Sequence, residues 1–209
     1  MPESLDIHTL VLQVLRWIHF LAGITWIGLL YFFNLVNVPF AKTLDADAKK
    51  KVVPQLMPRA LWWFRWGAMV TVLAGIAYIY WKLYVASNAG MTGTGGLLTS
   101  YWGKWITFGG GLGLIMWFNV WMIIWPAQKK LIAWVKAGQS PPEMAGVARR
   151  AFLASRMNTY LSVPMLFGMG AASHFPVFNL PAVLTVLVVG IAAAYFLINA
   201  VSLKVGSTG

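Results

Sequence analysis

Five stretches of about 20 or more predominantly apolar residues govern what this chain can fold into, at residues 10–35, 61–84, 105–125, 151–172 and 180–203. A run of that length crosses the roughly 30 Å hydrocarbon core of a bilayer as an α-helix. Inside lipid every backbone N–H and C=O must be paired within the protein, which leaves only helices or closed barrels. The runs are far longer than barrel strands and do not alternate with period two. The sequence therefore predicts an all-α, polytopic transmembrane bundle of five helices, a single integral membrane domain over residues 1–209. Composition agrees, with 59% hydrophobic and 10% charged residues, where soluble domains carry about 25% charged. A soluble globular domain, a disordered chain and a collagen-like chain are excluded.

The charges sort the connecting segments into two sets. Residues 40–60 carry Lys42, Lys49, Lys50, Lys51 and Arg59, and residues 126–150 carry Lys129, Lys130, Lys136, Arg149 and Arg150. By the positive-inside rule both face the cytoplasm, whereas residues 85–103 and 173–179, which have no Lys or Arg, face the opposite side. The N-terminus is then outside and the C-terminus, with Lys204, inside. The excess of 16 Lys+Arg over 5 Asp+Glu is matched to anionic lipid rather than to nucleic acid. Glu3 and Asp6 argue against a cleavable leader, which would start with a basic region. Pro39, Pro126, Pro141, Pro142, Pro176 and Pro181 are expected to punctuate loop ends. Trp17, Trp62, Trp63, Trp102, Trp105 and Trp125 fall near helix ends, where indoles bridge hydrocarbon and headgroups. The uncharged segment 87–100 reads as a flexible outer loop with no phosphate-loop pattern.

With no cysteine there is no disulfide, zinc-thiolate site, iron–sulfur cluster or covalently attached c-type haem. Metal chemistry would have to run through histidine, methionine or carboxylate. His19 lies inside the first apolar run and His174 at the outer end of the fourth, so both belong to the outer half of the bundle. Two imidazoles from separate helices could supply both axial ligands of a b-type haem. The alternatives are an interhelical hydrogen bond from His19 to Asn119 or Thr107, and a solvated loop position for His174. Gly23 and the run Gly109, Gly110, Gly111 and Gly113 would admit a flat cofactor, although helix packing is the commoner use of such glycines. Arg16 and Lys104 are the better placed partners for haem propionates among Arg16, Arg65, Lys82 and Lys104, whose default is to snorkel. Met157 is a weaker thioether ligand candidate, since methionine is usually core filler. No carboxylate lies where it could serve as a buried general base beside a serine, which removes the hydrolase class. His8 is expected to be solvated.

The segments RWIHFLAGITWIGLLYFFN (16–34), WFRWGAMVTVLAGIAYIY (63–80), PAQKKLIAWVKAG (126–138) and NTYLSVPMLF with SHFP (158–176) are similar to the membrane domain of the bacterial urate oxidase family called PuuD. The resemblance implies a multi-helix domain of a bacterial inner (cytoplasmic) membrane, with urate as electron donor and a cytochrome c as acceptor. It also implies that His19 and His174 match histidines of the family. Longer members carry a C-terminal cytochrome c domain, of which this cysteine-free sequence has no motif. Where members typically read His-Asn-Asn-Tyr, this chain has Met157-Asn158-Thr159-Tyr160.

Together these readings lead to an oxidoreductase or oxidoreductase subunit: a haem-b protein passing electrons near the periplasmic face to a cytochrome c or a partner subunit. Two alternatives stand beside it. One is a cofactor-free accessory subunit of a larger membrane complex, self-associated or not. The other is a urate-oxidising membrane enzyme, with Arg16, Lys104 and Asn119 as the polar residues for an anionic purine.

Overall fold

A computed structural model describes residues 6–88 and 95–205, and these are helices joined by short connections, without strands. Five helical segments follow one another: α1 (Ile7–Thr43), α2 (Ala46–Asn88), α3 (Tyr101–Lys136), α4 (Met144–His174) and α5 (Leu180–Ser202). All but α4 are long and apolar enough to cross a membrane by length and composition. The fourth carries Arg149, Arg150 and Arg156 in its first half and completes the bundle as the partner of α3. The chain is therefore a multi-pass, lipid-embedded protein. α1 packs along α2 and α3 along α4, the two pairs meet through α2–α3 and α1–α4 contacts, and α5 lies against α4 and the inner end of α1. "Outer" here means the end carrying Ile7, Tyr101 and His174, which the charge distribution assigns to the outside.

The helices run well past the apolar stretches. At 1.5 Å per residue, the 37 residues of α1 extend about 55 Å, nearly twice the hydrocarbon thickness. Most of residues 46–60 and 126–136, expected as cytoplasmic loops, continue α2 and α3 into water. Their Lys, Ala, Gln and Leu content favours helix, which an apolar-window reading does not register. Every N-terminus except that of α4 is capped by a side chain: the Asp6 carboxylate accepts from the Thr9 N–H (2.7 Å), Asp45 from Ala48 (2.7 Å), Ser100 from Gly103 (3.0 Å) and Asn179 from Ala182 (2.9 Å). Of the uncharged outer segment, residues 89–94 lie outside the described residues.

Pro39 and Pro126 also depart from expectation, since neither ends its helix. Each sits just beyond a π-helical turn, Phe32–Asn37 and Asn119–Ile124 respectively, whose wider hydrogen-bond pattern eases the clash of a proline ring with the preceding turn. Pro39 has no N–H to offer Leu35, and the Ser202 hydroxyl of α5 donates to that carbonyl instead (2.6 Å). Pro141, Pro142 and Pro176 do fall in connections.

Close approach is set by small residues. A Cβ at Gly109 would lie 3.1 Å from the Met165 carbonyl, and one at Gly168 3.1 Å from Gly109 Cα, so α3 and α4 touch backbone to backbone. Packing thus accounts for Gly109, while Gly110, Gly111 and Gly113 have nothing within 4 Å of the corresponding position. Three polar contacts inside the bundle join side chains to one another or to backbone, as low dielectric favours. Asn119 Nδ2 donates to Asn158 Oδ1 (2.8 Å), Asn158 Nδ2 to the Met116 carbonyl (3.0 Å), and Tyr31 and Ser162 share a hydroxyl hydrogen bond (3.0 Å).

Candidate functional site

Residues three or four apart on a helix share a face. Arg16 and His19 share one face of α1, and Thr71, Gly75, Tyr78 and Lys82 form the facing row on α2. Where these rows meet, the outer end of the bundle gathers two cations, a phenol and an imidazole. Arg16 Nη2 donates to the Tyr78 hydroxyl at 2.6 Å, with its guanidinium carbon 5.3 Å from the ring centroid. Lys82 Nζ lies 5.9 Å from the same ring and 4.1 Å from the ring of Trp102 on α3. Among the described residues no carboxylate pairs with Arg16. The cations therefore stack on aromatic faces rather than merely snorkelling.

One turn deeper, His19 is half-buried and its Nδ1 lies 2.8 Å from the Thr71 carbonyl. A carbonyl only accepts, so Nδ1 carries the hydrogen, and whenever the ring is neutral its lone pair is at Nε2. Gly75 makes room for it: a Cβ there would stand 3.1 Å from both Cε1 and Nδ1 of the imidazole. The partner of His19 is thus a backbone carbonyl of α2 and not Asn119 or Thr107. Asn119 is committed to Asn158 in the inner half, away from the Arg16 cluster with which it was grouped. Gly23 is in ordinary contact with Thr71, whose Cγ2 would lie 3.9 Å from a Cβ.

His174 is the last residue of α4 and is exposed. The chain after it folds back over Trp105, whose indole N–H donates to the Val177 carbonyl (3.0 Å) and whose ring meets Phe178 edge-on at 5.0 Å. No ring contact joins His19 and His174 among the described residues. Lys104, half-buried on α3, makes no hydrogen bond or ion pair with the Arg16 cluster among the described residues. Met157 is 52% exposed, with its sulfur 3.8 Å from Asn119 Nδ2. His8 is half-buried against Trp81, ring centroids 6.0 Å apart, and so is packed rather than solvated. Tyr78, Thr71 and Gly75 were not singled out from sequence; their signal is the four- and seven-residue spacing along α2, legible only once α2 is paired with α1.

The donor set suits more than one task. A ring held by Nδ1–H on a carbonyl, with Nε2 open, can accept a proton or bind a metal. Paired cations on flat aromatic rings suit a planar anion. Among the described residues no cluster of three or more His, Asp or Glu is placed to hold a metal ion by itself. A family model described as urate oxidase N-terminal matches residues 96–204, from just before α3 to the end of α5. No curated protein and no solved structure matches the chain.

Proposed function

Because the chain belongs to the urate oxidase N-terminal family, we propose that it is the membrane-embedded part of a urate-oxidising oxidoreductase whose substrate anion docks at the outer end of α1 and α2. The observation that carries this reading is Arg16, a guanidinium with no carboxylate partner among the described residues, fixed on the Tyr78 hydroxyl beside Lys82. Urate is a planar monoanion near neutral pH. Arg16 offers it N–H donors, Lys82 offers charge, and the rings of Tyr78 and Trp102 offer flat contact. Oxidation of urate by two electrons releases protons, and His19 Nε2 is the group at hand to accept one. The two electrons pass, one each, to two molecules of an acceptor of the cytochrome c class on the same side of the membrane. The test is urate-dependent reduction of added cytochrome c by the protein in lipid nanodiscs. Arg16→Gln should raise KM for urate about tenfold, the loss of one charge-assisted hydrogen bond, with a smaller change in kcat. His19→Gln should act mainly on kcat. Absence of urate-dependent reduction by the wild-type chain overturns the reading.

A second reading is favoured by the His19–Thr71 hydrogen bond, because metal-bound imidazoles are commonly held by their second nitrogen in this way. In it His19, with the exposed His174 as the candidate second ligand, would hold a b-type haem supplying one-electron transfer, and Arg16 and Lys82 would neutralise its propionates. A pyridine haemochrome assay decides it. A b-type spectrum lost in His19→Ala supports the reading, and a colourless folded protein removes it.

A further inference from the structure

Toward the inner ends of α2 and α3, two cations meet on one indole. The guanidinium carbon of Arg65 on α2 stands 3.8 Å from the ring centroid of Trp125 on α3 and 6.0 Å from that of Trp121. Lys129, one turn beyond Trp125 on the same face of α3, sets its Nζ 5.5 Å from the Trp125 ring. Contact with two rings holds the Arg65 guanidinium in place, so it is not a side chain left to snorkel freely. Among the described residues neither Arg65 nor Lys129 pairs with a carboxylate or makes a hydrogen bond. Arg65 is half-buried with its Nε enclosed, but Nη1 and Nη2 are not buried, and Lys129 is exposed. Both charges can therefore be reached from outside the protein. Trp66 meets Trp121 edge-on at 5.6 Å and lies 6.4 Å from Trp62, and the exposed Trp62 and Trp66 continue the aromatic surface along α2.

We propose that this junction of α2 and α3 binds the phosphodiester headgroup of an anionic glycerophospholipid from the cytoplasmic leaflet. Negative charge follows from two neighbouring cations without a carboxylate among the described residues. A phosphate follows from the donors, because the Arg65 fork can serve two oxygens of one anion while Lys129 adds a point charge. Lipid as the source follows from depth and surroundings. From Trp105 to Trp125, α3 rises about 30 Å, the thickness of the hydrocarbon core, and Trp105 lies at the outer end, bonded to the Val177 carbonyl. Trp125 therefore marks the inner boundary of the hydrocarbon, the level at which headgroup phosphates begin. The exposed indoles of Trp62 and Trp66 suit the layer between headgroup and acyl chain, and basic sites between helices on the cytoplasmic side are suited to acidic lipid headgroups. The Arg16 cluster lies at the opposite end of the bundle, so this site stands or falls independently of it.

The test is native mass spectrometry of the full chain in detergent, titrated with palmitoyl-oleoyl phosphatidylglycerol or with palmitoyl-oleoyl phosphatidylcholine, which share their tails and differ in charge. One phosphatidylglycerol should be held about tenfold more tightly than phosphatidylcholine. Lys129→Gln should weaken it about fivefold, the share of one cation near the membrane surface. Lys130→Gln removes the same charge at the neighbouring exposed position, which stacks on no indole among the described residues, and should leave binding unchanged. Arg65→Gln should bring phosphatidylglycerol down to the level of phosphatidylcholine, with thermal unfolding reporting that the fold is kept. If that variant does not fold, the comparison of Lys129→Gln with Lys130→Gln decides. Three results would overturn the proposal: equal retention of the two lipids by the wild-type chain; equal weakening by Lys129→Gln and Lys130→Gln, as a diffuse basic surface would give; or displacement of the lipid by inorganic phosphate, the mark of a site for soluble anions.

Discussion

His19 owes its position to two residues of α2 that have no chemistry of their own. The Thr71 carbonyl selects the tautomer, and Gly75 leaves the space in which the ring lies. A methyl group at 75 would stand 3.1 Å from Cε1 and Nδ1, tighter than side chains normally pack, so the ring or the helix must give way. Gly75→Ala should therefore cost about 1 kcal/mol of stability as an overpacking change and, on the urate-oxidising function proposed above, lower turnover by a larger factor than that stability loss implies. Thermal unfolding and single-turnover kinetics on the same preparation separate the two; a variant with unchanged turnover would show that the imbalance does not exist and that His19 is free to move. At this scale the sequence disclosed the chemistry-bearing types, His19 and Arg16, because ionisable groups stand out in an apolar run. It did not disclose Tyr78 or Gly75, which are unremarkable until a neighbouring helix arrives.

Each element carries its own local solution for hydrogen bonds that lipid will not satisfy. In α1 the proline at 39 strips the Leu35 carbonyl of its donor, and Ser202 of α5 replaces it across the helix interface. Ser202→Ala should thus cost about 1–2 kcal/mol, the penalty of an orphaned buried acceptor. The same change should cost less in a Pro39→Ala background, where residue 39 regains an N–H. A double-mutant cycle read by denaturant unfolding checks this, and strict additivity would deny the coupling. The outer end of α1 is pH-sensitive. The Thr9 backbone N–H holds the Asp6 carboxyl below its ordinary value, so the charged cap contributes stability above the unfolded pKa of about 3.9 and loses it as pH falls through the lower folded value. Asp6→Asn keeps a cap and should remove that acid dependence of fraying, which hydrogen exchange at Thr9 and Leu10 would report. Apolar runs overlap all five helices, and in four of them, α4 excepted, length and composition suffice to cross a membrane. They missed the helix ends, because residues 46–60 and 126–136 are helical for reasons of propensity rather than hydropathy.

For the whole molecule, sidedness decides which solvent each site meets. Arg16, Lys82 and Lys104 are the basic residues at one end, and all the others lie toward the opposite end. Such a bias orients a bundle with its basic end in the cytoplasm. The Arg16 cluster then opens to the outside, where the electron acceptor proposed above would have to meet it. Reporter domains fused after Gly95, ahead of α3, and after Gly138, between α3 and α4, should accordingly report opposite sides: alkaline phosphatase active at Gly95 and inactive at Gly138, β-galactosidase the reverse. The inverted pattern would leave the helix pairing untouched but turn the outer site toward the cytoplasm, and an external electron acceptor would then have no route to it. Moving the charge bias should move the result. Replacing Lys129, Lys130, Lys136, Arg149 and Arg150 with Gln removes the cytoplasmic anchor around the α3–α4 connection, so a second population of reporter at Gly138 should become exported. An orientation indifferent to those five substitutions would mean that packing of α3 against α4, rather than loop charge, fixes how the bundle sits in the membrane.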